Sequence, residues 1–163
     1  MKVMKKVLAA ALMAAMVLSM TACGSKETLD GSWKLTSFTQ DGKDMIAESG
    51  FTLADFEANG VLFGLTAKDG KATITMMDEP ETYTYDDKTL TDSNNAKQEY
   101  KINNGVLTLE GKDEEHSYTM TLKKMTDDEA KKFASQTSDE IQKAMLKMLG
   151  IDPSALENIG EEE

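Results

Sequence analysis

A chain of 163 residues and 17.9 kDa has the length of one domain. Acids outnumber bases 29 to 18, which leaves a formal charge of -11, and every base is Lys. The basic face that a nucleic-acid binder needs and the bidentate guanidinium clamp on phosphate are therefore both missing. One Cys and one His exclude a disulfide framework and a Cys/His zinc site.

The first segment reads as a targeting sequence. Lys2, Lys5 and Lys6 precede an apolar run over residues 7–18, and small residues then lead to Cys23. Charge, apolar run and small residues in that order make a secretory signal. The run is shorter than the ~20 residues that cross a hydrocarbon core. Met20-Thr21-Ala22-Cys23 resembles a bacterial lipobox, with Met20 where Leu is usual. The resemblance implies a diacylglyceryl group on the Cys23 thiol and cleavage after Ala22. The alternative is an ordinary signal cut at the same place, leaving an idle thiol. The expected plan is a signal peptide over 1–22 and a short lipidated linker over 23–29. Loss of the three signal lysines would deepen the charge to -14. Anionic headgroups repel such a surface, so acyl chains on Cys23 must hold the membrane. The expected location is the cell membrane, lipid-anchored on the extracytoplasmic side. Residues 24–29 span about 20 Å when extended, so the domain sits close to the bilayer.

From Asp30 onward the apolar pattern has a period of two. Residues 32–39 read as a strand with Trp33 and Leu35 on one face and Phe38 out of phase, the mark of a bulge. Asp41-Gly42 ends it. Thr52 can cap a short helix through Ala58 with Leu53 and Phe56 inward, a segment able to cover one end of a barrel. Residues 61–67 form an apolar strand in which Gly64 allows close backbone approach. Lys68-Asp69-Gly70-Lys71 is a hairpin turn, and residues 72–77 return with Ala72, Ile74 and Met76 on one face. After Pro80, residues 81–86 alternate Tyr83 and Tyr85 with Thr82 and Thr84. Residues 88–91 make a short strand, and residues 97–102 put Tyr100 and Ile102 together. Asn103-Asn104-Gly105 is the strongest hairpin signal in the chain. Leu107 and Leu109 follow on one face of 106–110, and Tyr118, Met120 and Leu122 on one face of 116–123.

Eight short strands with one wet face must curl or stack to bury the other face. Mostly hairpin connections favour an up-and-down barrel, which also removes exposed strand edges. The fold expected is mainly β: an eight-stranded antiparallel up-and-down barrel over 30–125 with a C-terminal helical segment and acidic tail over 126–163. In that tail Thr126 and Thr137 each open a capping box with a Glu three residues on. Ala130, Phe133 and Ala134 form one apolar stripe, and Ile141, Met145, Met148 and Leu149 a second, which dock on the barrel wall or make a partner-binding helix. Gly150 stops the second helix, and Asp152-Pro153 starts a last turn carrying Leu156 and Ile159.

Gly31-Ser32-Trp33 at the start of the first strand resembles the Gly-x-Trp signature of lipocalins, and residues 29–125 are similar to lipocalin-like domains of small bacterial lipoproteins. The resemblance implies that Trp33 closes one end of the barrel against a basic residue, here Lys123 or Lys124, and that the interior takes small apolar ligands.

The chemical inventory is sparse. His116 stands beside Asp113, Glu114 and Glu115, which reads as a solvated polar turn and not as a metal site or a poised base. No calcium loop, phosphate loop, dinucleotide fingerprint or nucleophile elbow occurs. No catalytic residue, metal ligand or cofactor is assigned, and an enzyme is not expected. Tyr83, Tyr85, Tyr100 and Tyr118 with Met76 and Met120 offer rings with polar tips beside adaptable thioethers, a lining for an amphipathic ligand. The same side chains can instead fill an eight-stranded barrel. The expected function is a non-catalytic envelope binding module for a small apolar or amphipathic ligand. The alternative is a structural or protein-interaction lipoprotein with a filled barrel.

Overall fold

The computed structural model describes residues 27–77, 80–112 and 115–152. The signal, Cys23, Asp113, Glu114, Leu156 and Ile159 lie outside the described residues. Nine strands follow in chain order: β1 (Gly31–Gln40), β2 (Lys43–Asp44), β3 (Gly64–Lys68), β4 (Lys71–Thr75), β5 (Glu81–Tyr85), β6 (Thr89–Thr91), β7 (Lys97–Asn103), β8 (Val106–Lys112) and β9 (Ser117–Lys124). From β3 each strand pairs antiparallel with the next, β1 pairs with β3, and β9 returns to β1. Eight strands thus close an up-and-down barrel, and β2 is a two-residue addition to β1.

The predicted bulge is present. The β1–β9 register shifts between Leu35 and Ser37, and this extra residue returns Phe38 to the interior with Trp33 and Leu35. Two details differ from the sequence reading. Residues 61–63 are buried but precede β3, because β3 pairs with β1 only along Gly31–Lys34. Beyond that point the free edge of β1 donates one bond, from Leu35 N to Phe63 O, and then pairs with β2 at Thr39 and Gln40. Edge groups left unpaired would be costly, and β2 satisfies them where β3 has diverged.

Helix α1 (Leu53–Ala58) is closed at its N-terminus by a reciprocal capping box between Thr52 and Asp55. It buries Phe56 edge-on against Phe63 at 4.8 Å and Phe51 at 6.0 Å between ring centroids. Helices α2 (Asp127–Ser135) and α3 (Ser138–Met148) carry the two predicted boxes, Thr126 with Glu129 and Thr137 with Glu140. Phe133 of α2 packs with Leu62 and Met125. Ile141 and Ala144 of α3 join the main barrel core, where α3 also meets α1. Leu149 departs from the expected stripe: it lies past the end of α3 and is 59% exposed.

Two polar devices hold this helical layer in place. The Gln136 carboxamide accepts from Leu62 N at 2.7 Å and donates to Leu62 O at 2.9 Å, imitating a neighbouring strand. Gln136→Ala would strand both backbone groups of a buried residue and is expected to cost about 1–3 kcal/mol in urea unfolding. Lys34, on the outer side of β1, bonds Glu57 of α1 at 3.1 Å and Glu129 of α2 at 2.5 Å.

Hydrogen bonding from Lys34, then from Thr126, lowers the Glu129 carboxyl to a pKa of about 2. A depressed carboxylate stabilises the fold fully above its unfolded pKa and loses that contribution as pH falls through the folded value. The loss attributable to Glu129 therefore falls between about pH 5 and pH 2. Glu129→Gln should cost on the order of 1 kcal/mol at pH 7, after allowance for solvent screening, and nearly nothing at pH 2. Urea midpoints at the two pH values measure the difference; an equal cost at both would show that the ion pair is not its source.

Candidate functional site

The barrel has two unlike ends. At the first, the chain enters through Leu29, whose carbonyl accepts from the Trp33 indole at 2.7 Å. Trp33 is buried on the inner face of β1, opposite Leu65 of β3 and Lys124 of β9. The Lys124 ammonium lies 4.4 Å from the Trp33 ring centroid and also bonds the Asp30 carbonyl. Burial lowers the Lys124 pKa, and the ring face and carbonyl compensate part of its lost hydration. Gly31 belongs to this closure, since a Cβ there would collide with the Lys124 side chain. Of the two lysines named from the resemblance, Lys124 is the one over the ring.

The six proposed lining residues all join or pack on the main core, but they divide between the two ends. Tyr85 and Tyr100 stand toward the Trp33 end. The Tyr85 hydroxyl donates to Asp30 at 2.5 Å and the Tyr100 hydroxyl to the Asp86 carbonyl at 2.6 Å. Burial and the neighbouring acids push Tyr100 up to about 12, so it remains a neutral donor. Tyr83 donates to Glu81 at 2.6 Å, and burial followed by that carboxylate raises its pKa as well.

Met76, Met120 and Tyr118 stand toward the other end. Met120 faces Phe38 and Leu109 in the ladders, and Tyr118 faces Gln40 and Gly111. Leu65, Leu90, Leu107 and Leu109 are at 0%, whereas Met76 and Tyr100 each retain 8% and Tyr118 6%, so residual exposure is found toward both ends.

The period-two reading singled out aromatic and Met positions and passed over polar residues in the same phase. Gln98 alternates with Tyr100 and Ile102 on β7, and Glu81 with Tyr83 on β5. Both belong to the inner face, and their alternation with tyrosines was the available signal.

His116 has a definite partner. Its Nδ1 lies 2.7 Å from Asp41 Oδ2, while Asp41 Oδ1 accepts from Ser117 N at 2.9 Å and Ser117 Oγ at 3.1 Å. The backbone bond from Ser117, then His116, holds the Asp41 carboxyl below its ordinary range. The Ser117 hydroxyl is bonded to the carboxylate and not to the imidazole, so the trio is not a nucleophile-and-base pair. It ties the β1–β2 turn to the start of β9. Among the described residues, no three potential metal ligands converge. No family model matches the chain, and neither a curated protein nor a solved structure matches it.

Proposed function

We propose that this chain is a membrane-anchored bacterial lipoprotein of the cell envelope, with a lipocalin-like barrel that carries a small apolar or amphipathic ligand and catalyses no reaction. The observation that carries the reading is a closed barrel plugged at one end by Trp33 under Lys124, with Met76, Met120 and Tyr118 among its core residues away from that plug. A barrel sealed at one end and lined toward the other by adaptable apolar groups suits a small guest. Membrane attachment through acyl chains on Cys23 rests on the signal segment and its lipobox-like end.

A second reading is a filled barrel serving a protein partner. It is favoured by the internal bonds of the Tyr83, Tyr85 and Tyr100 hydroxyls and by the exposed Leu149 and Ile151. Native mass spectrometry of the full chain from its own host separates the two. A co-purifying small molecule supports the first reading, and only bare or protein-bound chain supports the second. Fractionation of Cys23→Ala tests the anchor: retention in the membrane at the wild-type level would refute lipidation.

A further inference from the structure

We infer that Gln98, Gly111 and the Glu81–Tyr83 pair form a polar subsite toward the barrel end away from Trp33. It takes the hydroxyl or amide head of an uncharged amphiphile and rejects carboxylates. The inference rests on the ligand-binding reading above and assigns that ligand a chemical class.

Gln98 lies opposite the fully buried Leu90 and shares the inner face of β7 with Tyr100. Gly111 shares the inner face of β8 with Leu107 and Leu109 and pairs with Tyr118 across the next ladder. The β7–β8 register, Tyr100 with Leu109 and Glu99 with Glu110, continues to Gln98 with Gly111. A Cβ on Gly111 would meet only Gln98 Nε2, at 3.5 Å. The two preceding inward positions on that strand hold leucines with no exposure. Gly111 has no positive φ, so its backbone does not require glycine. What the missing side chain supplies is room, beside a half-buried carboxamide that makes no hydrogen bond among the described residues.

That carboxamide can donate and accept at once. Two strands away, Glu81 faces inward opposite Ile74 and spends one oxygen on the Tyr83 hydroxyl. Its other oxygen can accept from a ligand. Asp92 adds a second negative charge close enough to influence Tyr83. The lysines on the adjoining strands, Lys97 and Lys112, alternate to the outer face. A head that donates is therefore matched, and an anionic head meets like charge, the inward-facing Lys124 being held over Trp33 at the opposite end. The apolar body rests on Met76, Met120 and Tyr118.

The test uses the full chain purified from its host in lipid nanodiscs, with empty nanodiscs as the partition baseline. The probes are 4-(trifluoromethyl)benzyl alcohol and 4-(trifluoromethyl)benzoate, which share one apolar body and differ in the head. Fluorine NMR should show saturable binding of the alcohol and roughly ten-fold weaker binding of the benzoate. Gly111→Leu, which fills the space, should weaken the alcohol roughly ten-fold, and Gln98→Leu several-fold, with thermal unfolding retained. If Gly111→Leu does not fold, Gln98→Leu decides. Equal affinity for the two heads, or alcohol binding that neither substitution changes, overturns the subsite. If neither probe saturates while mass spectrometry still finds a co-purified ligand, the subsite is wrong and the ligand-binding reading stands. If both fail, both are wrong.

Discussion

Trp33→Ala is expected to lower stability by about 3–5 kcal/mol, the range for truncating a well-buried Trp. The ring fills the sealed end, its indole N–H satisfies the Leu29 carbonyl, and its face carries the Lys124 ammonium. Removing it leaves a cavity, an unpaired carbonyl and a lysine whose partial burial is no longer compensated. Against a total stability of ~5–15 kcal/mol for a small domain, such a loss approaches unfolding. His116→Ala is the contrast. Its side chain is 41% exposed, and Asp41 keeps both bonds from Ser117 after the imidazole is gone. The expected cost is within about 0.5 kcal/mol. Urea unfolding followed by circular dichroism reads both variants. An unchanged midpoint for Trp33→Ala would remove the ring from the closure.

Gly64→Ala should be nearly as damaging although it adds one carbon. At Gly64 the β1 and β3 backbones approach so closely that a Cβ would run into the Trp33 carbonyl oxygen, with Met125 behind it. A clash with flexible side chains can relax, but this one is with a backbone atom in the first pairing of the barrel. The strands must separate or the ladder must break, at an expected cost of ~3 kcal/mol, the upper part of the range for overpacked interiors. Gly111→Ala tests the other extreme, because its added carbon meets only the end of Gln98. A comparable loss at the two glycines would mean that chain flexibility, and not close approach, decides the effect.

The barrel was legible because its signals are local. Trp33 and Leu35, Tyr83 and Tyr85, and Leu107 and Leu109 alternate with polar residues, and Asp69-Gly70 and Asn104-Gly105 supply the left-handed turns. Even the bulge showed as a phase error at Phe38. Signals that join distant parts of the chain were not legible. Nothing around Gln136 announces that its amide will pair with Leu62, 74 residues earlier. Lys34 reads as an outward residue of a strand, and its choice of Glu57 and Glu129 exists only after two helices have arrived. Residues 61–63 look like a strand because their burial makes a continuous apolar run. Their actual neighbours are Phe56, Met125 and Phe133 as well as the sheet. The six lining residues share one alternating pattern, so the sequence grouped them. Hydrogen bonding then tied Tyr85 to Asp30 beside Trp33, while the ladder set Tyr118 opposite Gln40, at the other end of the first strand.

The β1–β9 ladder has a kinetic consequence. Most pairings in the sheet join neighbours along the chain and can form as hairpins within microseconds. The seam instead joins Trp33 to Lys124, so about ninety residues must be ordered or looped before it can zip. Chain growth from the N-terminus makes the first strand early and its last partner late. Until β9 emerges, one side of β1 has no ladder partner and Trp33 has no cation above it. The ring that seals the barrel is therefore synthesised about ninety residues ahead of its cation and is among the last to reach its final environment.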